Sequence, residues 1–240
     1  MQPKVVFITQ VRVGSTRLPG KVLERVEGKT LLSWFLQRAS RVSAVDEWVV
    51  ATTENARDDV IASLVREEFP EIRVVRGSEN DVLSRYAKAI RDSEADVVVR
   101  IASDCPFLDW DLVGACIEYR NRTNADVVKT RREDLPVGLD VEVFRAEALL
   151  RADREASDPA HREHVGPYVY ENPGLFDVAW FPYDGPEWPR CRLTLDYAED
   201  LGFVRHVYGA VGPLAPAESI RLYLKEHPEA AAMNMQHEHP

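Results

Sequence analysis

The densest chemical signal in the chain is one early run, Gln10-Val11-Arg12-Val13-Gly14-Ser15-Thr16-Arg17-Leu18-Pro19-Gly20-Lys21. Glycines let a backbone approach a polyphosphate closely, and successive N–H groups, those of Gly14 and Ser15 first, can cradle its oxygens. Arg12 and Lys21 add fixed cations at the two ends of the run. Two common phosphate loops are excluded by spacing. In a Walker A loop a Ser or Thr follows the lysine to hold magnesium, whereas Val22 stands here, and the gap between Gly14 and Gly20 is one residue too long. The dinucleotide pattern GxGxxG fails as well. An ordinary surface turn with solvated charges is the competing reading; a strand before the loop, the glycines and the cations agree on an anion site instead.

Two carboxylates form the second signal. Asp104 follows the apolar run 96–101, and Asp196 closes the run Cys191-Arg192-Leu193-Thr194-Leu195. Magnesium takes a few carboxylates plus substrate oxygens, so Asp104 and Asp196 are the candidate pair to hold one or two ions over an α-phosphate. Helix capping competes with this role. It fits Asp109 better than Asp104, and it stays open for Asp196 ahead of the helix expected over 197–211.

Further polar residues cluster in three places. Arg76, Asp81 and Arg85 surround the junction between a strand at 72–75 and the next helix, where they are placed to meet nucleotide or acceptor. Equally, Asn80 or Asp81 caps that helix and Arg85 is a surface charge. Asp140 and Glu142 alternate with Leu139, Val141 and Val143 and share one strand face, for which solvent is the default. His161-Arg162-Glu163-His164 spaces two histidines at i, i+3, but without a third ligand nearby zinc is not expected. Arg162 and His164 fit acceptor binding or a subunit contact better. Trp180, Phe181, Tyr183 and Trp188 read as core or interface. Cys105, Cys116 and Cys191 are an odd, scattered set, which excludes a disulfide framework and makes Cys105 structural.

These motifs resemble a known family. The run R-x-G-S-T-R-L-P-G-K is similar to the signature loop of the cytidylyltransferases that make CMP-activated sugars. The nearest likeness is to the spore-coat polysaccharide biosynthesis branch, and a more distant one is to 3-deoxy-manno-octulosonate and N-acylneuraminate cytidylyltransferases. "SDCP" and "RLTLDYAEDL" look like the family's two metal-binding stretches, with Asp104 and Asp196 at the matching positions. Arg76-Gly77 with Asp81 to Arg85, the stretch 136–142 and the stretch 162–165 are similar too, so the likeness runs from residue 4 to about 226. Val11 replaces a usual Ala and Val13 a commoner Met or Leu, and neither change removes a polar group.

The resemblance implies Mg²⁺-dependent transfer of CMP from CTP to a small acidic acceptor, with pyrophosphate leaving. It implies Arg12 and Lys21 as the catalytic cations, with Gln10, Gly14, Ser15, Arg76, Asp81 and Ser103 joining them around the nucleotide. Arg85, Asp140, Glu142, Arg162 and His164 are assigned to the acceptor, and Asp104 and Asp196 to the metal. Related synthetases are homodimers whose rear segment crosses to the partner, which would bring Arg162 and His164 to the neighbour's pocket. The choice of cytosine rests on the resemblance alone. The acceptor stays open between a sugar acid and a phosphorylated or phosphonate small molecule. Two other functions remain: a glycosyltransferase, for which Asp109-Trp110-Asp111 is a literal D-x-D that opens a helix, and a non-catalytic nucleotide-binding protein.

The elements that must position these residues follow from periodicity. Apolar runs at 4–9, 48–51, 72–75 and 96–101 alternate with helical spacing over 31–42, 60–69, 82–90 and 112–117. That rhythm predicts an α/β fold with a parallel sheet covered on both faces. After residue 125 it changes: strands at 125–130 and 139–144 look antiparallel. A helix at 145–155, strands at 175–181 and 191–195, and helices at 197–211 and 216–226 follow. The resemblance specifies a Rossmann-like, GT-A-type mixed sheet with a small antiparallel rear extension. The expected organisation is one domain, 1–240, with a nucleotide-binding half (1–124), an acceptor and dimerisation half (125–226) and a flexible tail (227–240).

The chain has 240 residues, 45% hydrophobic and 29% charged, with a net charge of −10. Such a balance is globular and argues against nucleic acid or an acidic membrane surface as partner. The charge is uneven: residues 1–41 carry a net +6, which leaves −16 on the rest. No apolar run approaches the ~20 residues that span a bilayer, and the opening is too short and weakly basic for a signal peptide. A cytoplasmic enzyme is the expectation.

Overall fold

Neighbouring side chains of β1 (Val5–Gln10) enter two different cores: Val5 and Phe7 pack on one side, Val6 and Ile8 on the other. Burial on both faces is what a continuous apolar run demands of a central strand. The computed structural model describes residues 2–237. After β1 come a short hairpin of β2 (Arg25–Val26) and β3 (Lys29–Thr30), then α1 (Leu31–Ala39), capped by Thr30, whose Oγ1 accepts from the Ser33 N–H. The alternation continues with β4 (Glu47–Thr53), α2 (Asp59–Glu68), β5 (Arg73–Gly77), α3 (Val82–Ser93), β6 (Val97–Arg100) and α4 (Trp110–Thr123). The rear half holds β7 (Val127–Lys129), β8 (Glu142–Arg145), α5 (Ala146–Glu155), α6 (Pro159–His164), α7 (Pro167–Tyr170) and β9 (Val178–Trp180). It closes with α8 (Ala198–Val211), α9 (Ala217–Glu226) and α10 (Pro228–Ala231).

One mixed sheet runs through the molecule in the order β5-β4-β1-β6-β8-β7-β9. Only β8 runs against its neighbours, pairing antiparallel with both β6 and β7. The antiparallel pair expected after residue 125 is therefore present, but inside the main sheet. Strand order reverses at β1, with β4 on one side and β6 on the other. Loops leaving the carboxyl ends of β1 and β6 diverge there, and a crevice opens between them.

Three expectations are corrected. Residues 191–195 form no strand: Leu193 N–H donates to Val137 O (2.8 Å) and Leu195 N–H to Asp104 O (2.8 Å), which are single bonds rather than a ladder. Gly138 permits this crossing. It has φ +102°, and a Cβ there would lie 2.4 Å from the Leu193 backbone. The strand expected over 139–144 accordingly starts only at Glu142, leaving Asp140 in the preceding loop. The tail expected to be flexible from residue 227 is packed through residue 237, with Ala230, Ala231 and Asn234 buried; residues 238–240 lie outside the described residues.

Candidate active site

The loop after β1 is built by its own hydrogen bonds. Val13 N–H donates to the buried carboxylate of Asp58 (2.7 Å), which also accepts from the Thr53 hydroxyl. Ser15 N–H and Gly20 N–H both return to Val13 O, at 2.8 and 3.0 Å. The Ser15 amide thus closes the turn, and Ser15 lines the cavity beside the loop. A Cβ at Gly14 would meet only the tip of the exposed Arg57 side chain, at 2.7 Å, which can swing aside.

This turn delivers Lys21 to both candidate carboxylates. Its Nζ donates to Asp104 Oδ2 (2.9 Å), Asp196 Oδ1 (3.0 Å) and Leu195 O (2.7 Å). Arg17 Nη2 donates to Asp196 Oδ1 (2.7 Å), and Arg192 Nη2 holds Asp196 Oδ2 (2.8 Å). Burial by itself would lower the Lys21 pKa; the Asp104 and Asp196 charges outweigh it and hold the ammonium above its ordinary value. Burial would raise Asp196, and Lys21, Arg17 and Arg192 instead pull its carboxyl below the usual range. Asp196 does not cap α8: its own N–H and that of Tyr197 donate to Asp200 Oδ2, at 2.7 and 2.9 Å. The sequence left capping open for Asp196, and the structure gives that work to Asp200.

The donor set fits a hard divalent cation. Two carboxylates converge on one point, which the Lys21 ammonium marks, and oxygen is the only donor type they offer. Among the described residues no cluster of three or more His, Cys, Asp or Glu could hold a metal by itself. Magnesium suits such a pair, because it completes its shell with water and substrate phosphates.

Two cavities share this centre, and Arg17, Arg100, Asp104 and Asp196 line both. The first, about 560 Å³, lies along the loop and is lined by Gln10, Arg12, Gly14, Ser15, Lys21 and Ser103. Arg12 spans its rim with loose pairs of 3.8 Å to Glu79 and to Glu163. Gln10 Oε1 accepts from the Tyr86 hydroxyl, and Ser103 Oγ donates to Gln10 O (3.1 Å). The second cavity, about 460 Å³, is lined by Lys129, Thr130, Arg132, Asp140, Glu142 and Trp180. Glu142 pairs with Arg100 and accepts from the Tyr170 hydroxyl, so it is not a solvent-facing charge.

Several residues fall elsewhere than expected. Arg85, assigned to the acceptor, is buried against the loop cavity; its Nη1 makes one long bond to Ala51 O (3.4 Å), and its Nε has no partner among the described residues. His164 lines the loop cavity of its own chain, where the resemblance had implied a neighbour's. Arg76, Asp81 and Arg162 line neither cavity. Arg76 binds Thr53 O (2.7 Å), Asn55 O (3.0 Å) and Asp59. Asp81 caps α3 through Ser84 N–H (2.9 Å) and pairs with Arg162, which also holds Asp153 (2.8 Å). Asp109 caps α4 by accepting from the Asp111 and Leu112 N–H groups, which accounts for the D-x-D sequence. Cys105 is buried, and burial followed by the Asp104 charge pushes its thiol well above the ordinary value.

Sequence reasoning passed over Arg17, Arg100 and Lys129 as site residues. Arg17 carried a signal, since it lies inside the loop motif; Arg100 and Lys129 are strand residues whose neighbours only the sheet order defines.

Comparison with known proteins agrees with this geometry. A family model described as cytidylyltransferase matches residues 6–210. The chain belongs to the cytidylyltransferase family and is a CTP-dependent nucleotidyltransferase. It is 38% identical over 201 residues to an uncharacterized protein of Methanocaldococcus jannaschii, covering 82% of this chain and 80% of that one. It is 34% identical over 239 residues to the spore coat polysaccharide biosynthesis protein SpsF of Bacillus subtilis, covering 95% and 96%. Among solved structures it is similar to a cytidylyltransferase from Leptospira borgpetersenii serovar Hardjo-bovis, with a TM-score of 0.90 and 28% identity over 99% of this chain and 100% of that one. Among the described residues no helix is long and apolar enough to cross a membrane.

Proposed function

We propose that this enzyme transfers CMP from CTP to a small polyhydroxylated acid of the sugar-acid type, in polysaccharide or cell-surface glycan biosynthesis. The observation that carries this reading is the second cavity, which shares its floor with the nucleotide loop. Lys129 and Arg132 offer cations for a carboxylate, Asp140 and Glu142 offer acceptors for hydroxyls, and the half-exposed Trp180 offers a flat face to a sugar ring. The relative named for spore coat polysaccharide biosynthesis supports the biosynthetic setting.

In this reading an acceptor oxygen attacks the α-phosphorus, a new P–O bond forms, and the bond to the β-phosphate oxygen breaks to release pyrophosphate. Such transfer asks little covalent work of the protein, so positioning and charge stabilisation dominate. Arg12 and Lys21 offset charge on the phosphates as it shifts toward the leaving group. Arg17 lines both cavities, as Arg100 does, but Arg100 is paired with Glu142, which leaves Arg17 to orient the two substrates toward each other. Asp104 and Asp196 are the residues that would hold Mg²⁺, which supplies further neutralisation of the phosphate oxygens when bound.

The test is pyrophosphate release from each of the four nucleoside triphosphates against a panel of sugar acids, sugar phosphates, phosphonates and neutral sugars, with and without EDTA. Release is expected with CTP and a sugar acid and lost with EDTA. Faster release with a phosphonate, a sugar phosphate or a neutral sugar overturns the acceptor class.

A further inference from the structure

Lys21 and Arg17 grip the Asp196 carboxylate from the cavity side; a buried network grips it from behind and ends in the C-terminal segment. Arg192, which bonds Asp196 Oδ2, is itself held by Asp200 Oδ1 through its Nε (3.1 Å). Asp200 Oδ2 also accepts from the backbone of Asp196 and Tyr197. The last member is Asn234, whose Nδ2 donates to Asp200 Oδ1 (2.7 Å) and to Arg192 O (3.1 Å). Asp200 and Asn234 are 0% exposed, and Arg192 and Asp196 are 5% and 3% exposed. Asn234 Oδ1 is buried without a hydrogen-bond partner among the described residues. A side chain serving packing alone would carry no such orphan acceptor; what the position uses is the amide's donors.

We propose that Asn234 is a positioning residue for the reaction centre. By tying Asp200 and Arg192 together, it fixes the direction in which Asp196 presents its carboxylate to Lys21 and to the floor shared by the two cavities. The contact comes from beyond the family match, which ends at residue 210. The rest of the segment acts on the same spot: the His237 ring stacks on Tyr197 (centroids 3.8 Å apart, planes at 10°), and the Arg17 guanidinium lies 5.2 Å from the centroid of that tyrosine ring. Outer groups that orient a carboxylate commonly change activity by about 10–100-fold when lost. The inference rests on the reading of Asp196 as a carboxylate of the reaction centre.

The experiment compares full-length wild type, Asn234→Ala and Asp196→Asn. It measures kcat and KM for CTP by pyrophosphate release, and amide hydrogen exchange in peptides containing Asp196 and Tyr197. Asn234→Ala is expected to lower kcat about 10–100-fold while KM for CTP stays within about twofold. The Asp196 and Tyr197 amides should exchange faster, with β1 and β4 as protected as in wild type. A folded variant with wild-type kcat, or one whose β1 and β4 lose protection along with the tail, overturns the proposal. Should Asn234→Ala fail to fold, Asn234→Ser, which keeps a small polar donor, is judged by the same measurements, and failure of both to fold assigns Asn234 to the fold and overturns it too. Wild-type kcat in Asp196→Asn rejects the reading of Asp196; an inactive Asp196→Asn beside a fully active Asn234→Ala rejects the Asn234 inference alone.

Discussion

Two clusters in this molecule have the same formula, one cation between two aspartates, and opposite fates. Lys21 lines the loop cavity between Asp104 and Asp196, the two carboxylates that line both cavities. Arg162 stands between Asp81 and Asp153, where it ties the start of α3 to α5 and α6 and lines neither cavity. The difference lies in the cation and in what surrounds it. A guanidinium is a rigid fork, and Arg162 spends its donors on two carboxylates and the Asp153 carbonyl. An ammonium is a compact point charge on a flexible stem, so Lys21 gathers two carboxylates at a place open to a ligand. Charge composition alone does not separate a reaction centre from a structural clamp; access does.

The comparison breaks first at Lys21. Lys21→Ala should lower kcat by about 10²–10³-fold, the loss typical of removing one preorganised donor from a developing charge. Pyrophosphate release measured beside circular dichroism checks that the fold is retained. Activity near wild type would make the Lys21 cluster as structural as the other one.

Arg162→Ala should do the reverse. It strips a part-buried fork from two carboxylates, and a loss of about 1–3 kcal/mol in urea unfolding is expected, with kcat within about twofold. Arg162→Lys should recover only part of that stability, because one point charge cannot serve both carboxylates as a fork does. A large fall in kcat with unchanged stability would return Arg162 to the substrates.

The smallest effect sharpens the electrostatics. Lys21 and its neighbours depress the Asp196 pKa, so the stability this carboxylate contributes is present above its ordinary value of 3.8 and is lost as pH falls through the depressed one. The stability gap between wild type and Lys21→Ala should therefore be widest near neutral pH and close as pH falls below the ordinary carboxylate value and through the depressed one, as Asp196 becomes protonated. Urea midpoints measured across that range check it, and a gap independent of pH would detach Lys21 from Asp196.

How much could be read in advance differs between the halves of the chain. The short hairpin of β2 and β3 carries no apolar run and was not foreseen. The main-sheet strands β1, β4, β5 and β6 followed from apolar runs, because a central strand shows its burial along its length. Asp104 was legible for the same reason: it follows such a strand directly. The stretch 191–195 misled because Leu193 and Leu195 are buried in the core yet each makes only one backbone–backbone hydrogen bond rather than a ladder. Arg76, Asp81 and Arg85 form one motif in sequence, yet they face an edge loop, a neighbouring helix and a cavity respectively. Arg76 lies in strand β5, Asp81 caps α3 and Arg85 lies on that helix, so one short motif crosses three kinds of backbone and its side chains part.

The sequence by itself determined the α/β alternation, the phosphate loop with Lys21, the two carboxylates and the likeness to the cytidylyltransferases. These are local facts, written in periodicity and in consecutive residues. Only the tertiary structure decided that Lys21 meets Asp104 and Asp196 at one point, that Arg17 and Arg100 join two cavities, and that Asn234 closes the network behind Asp196. Each depends on groups between 34 and 175 residues apart, and their distances are set by the reversal of strand order at β1 and the packing of α8 and α10.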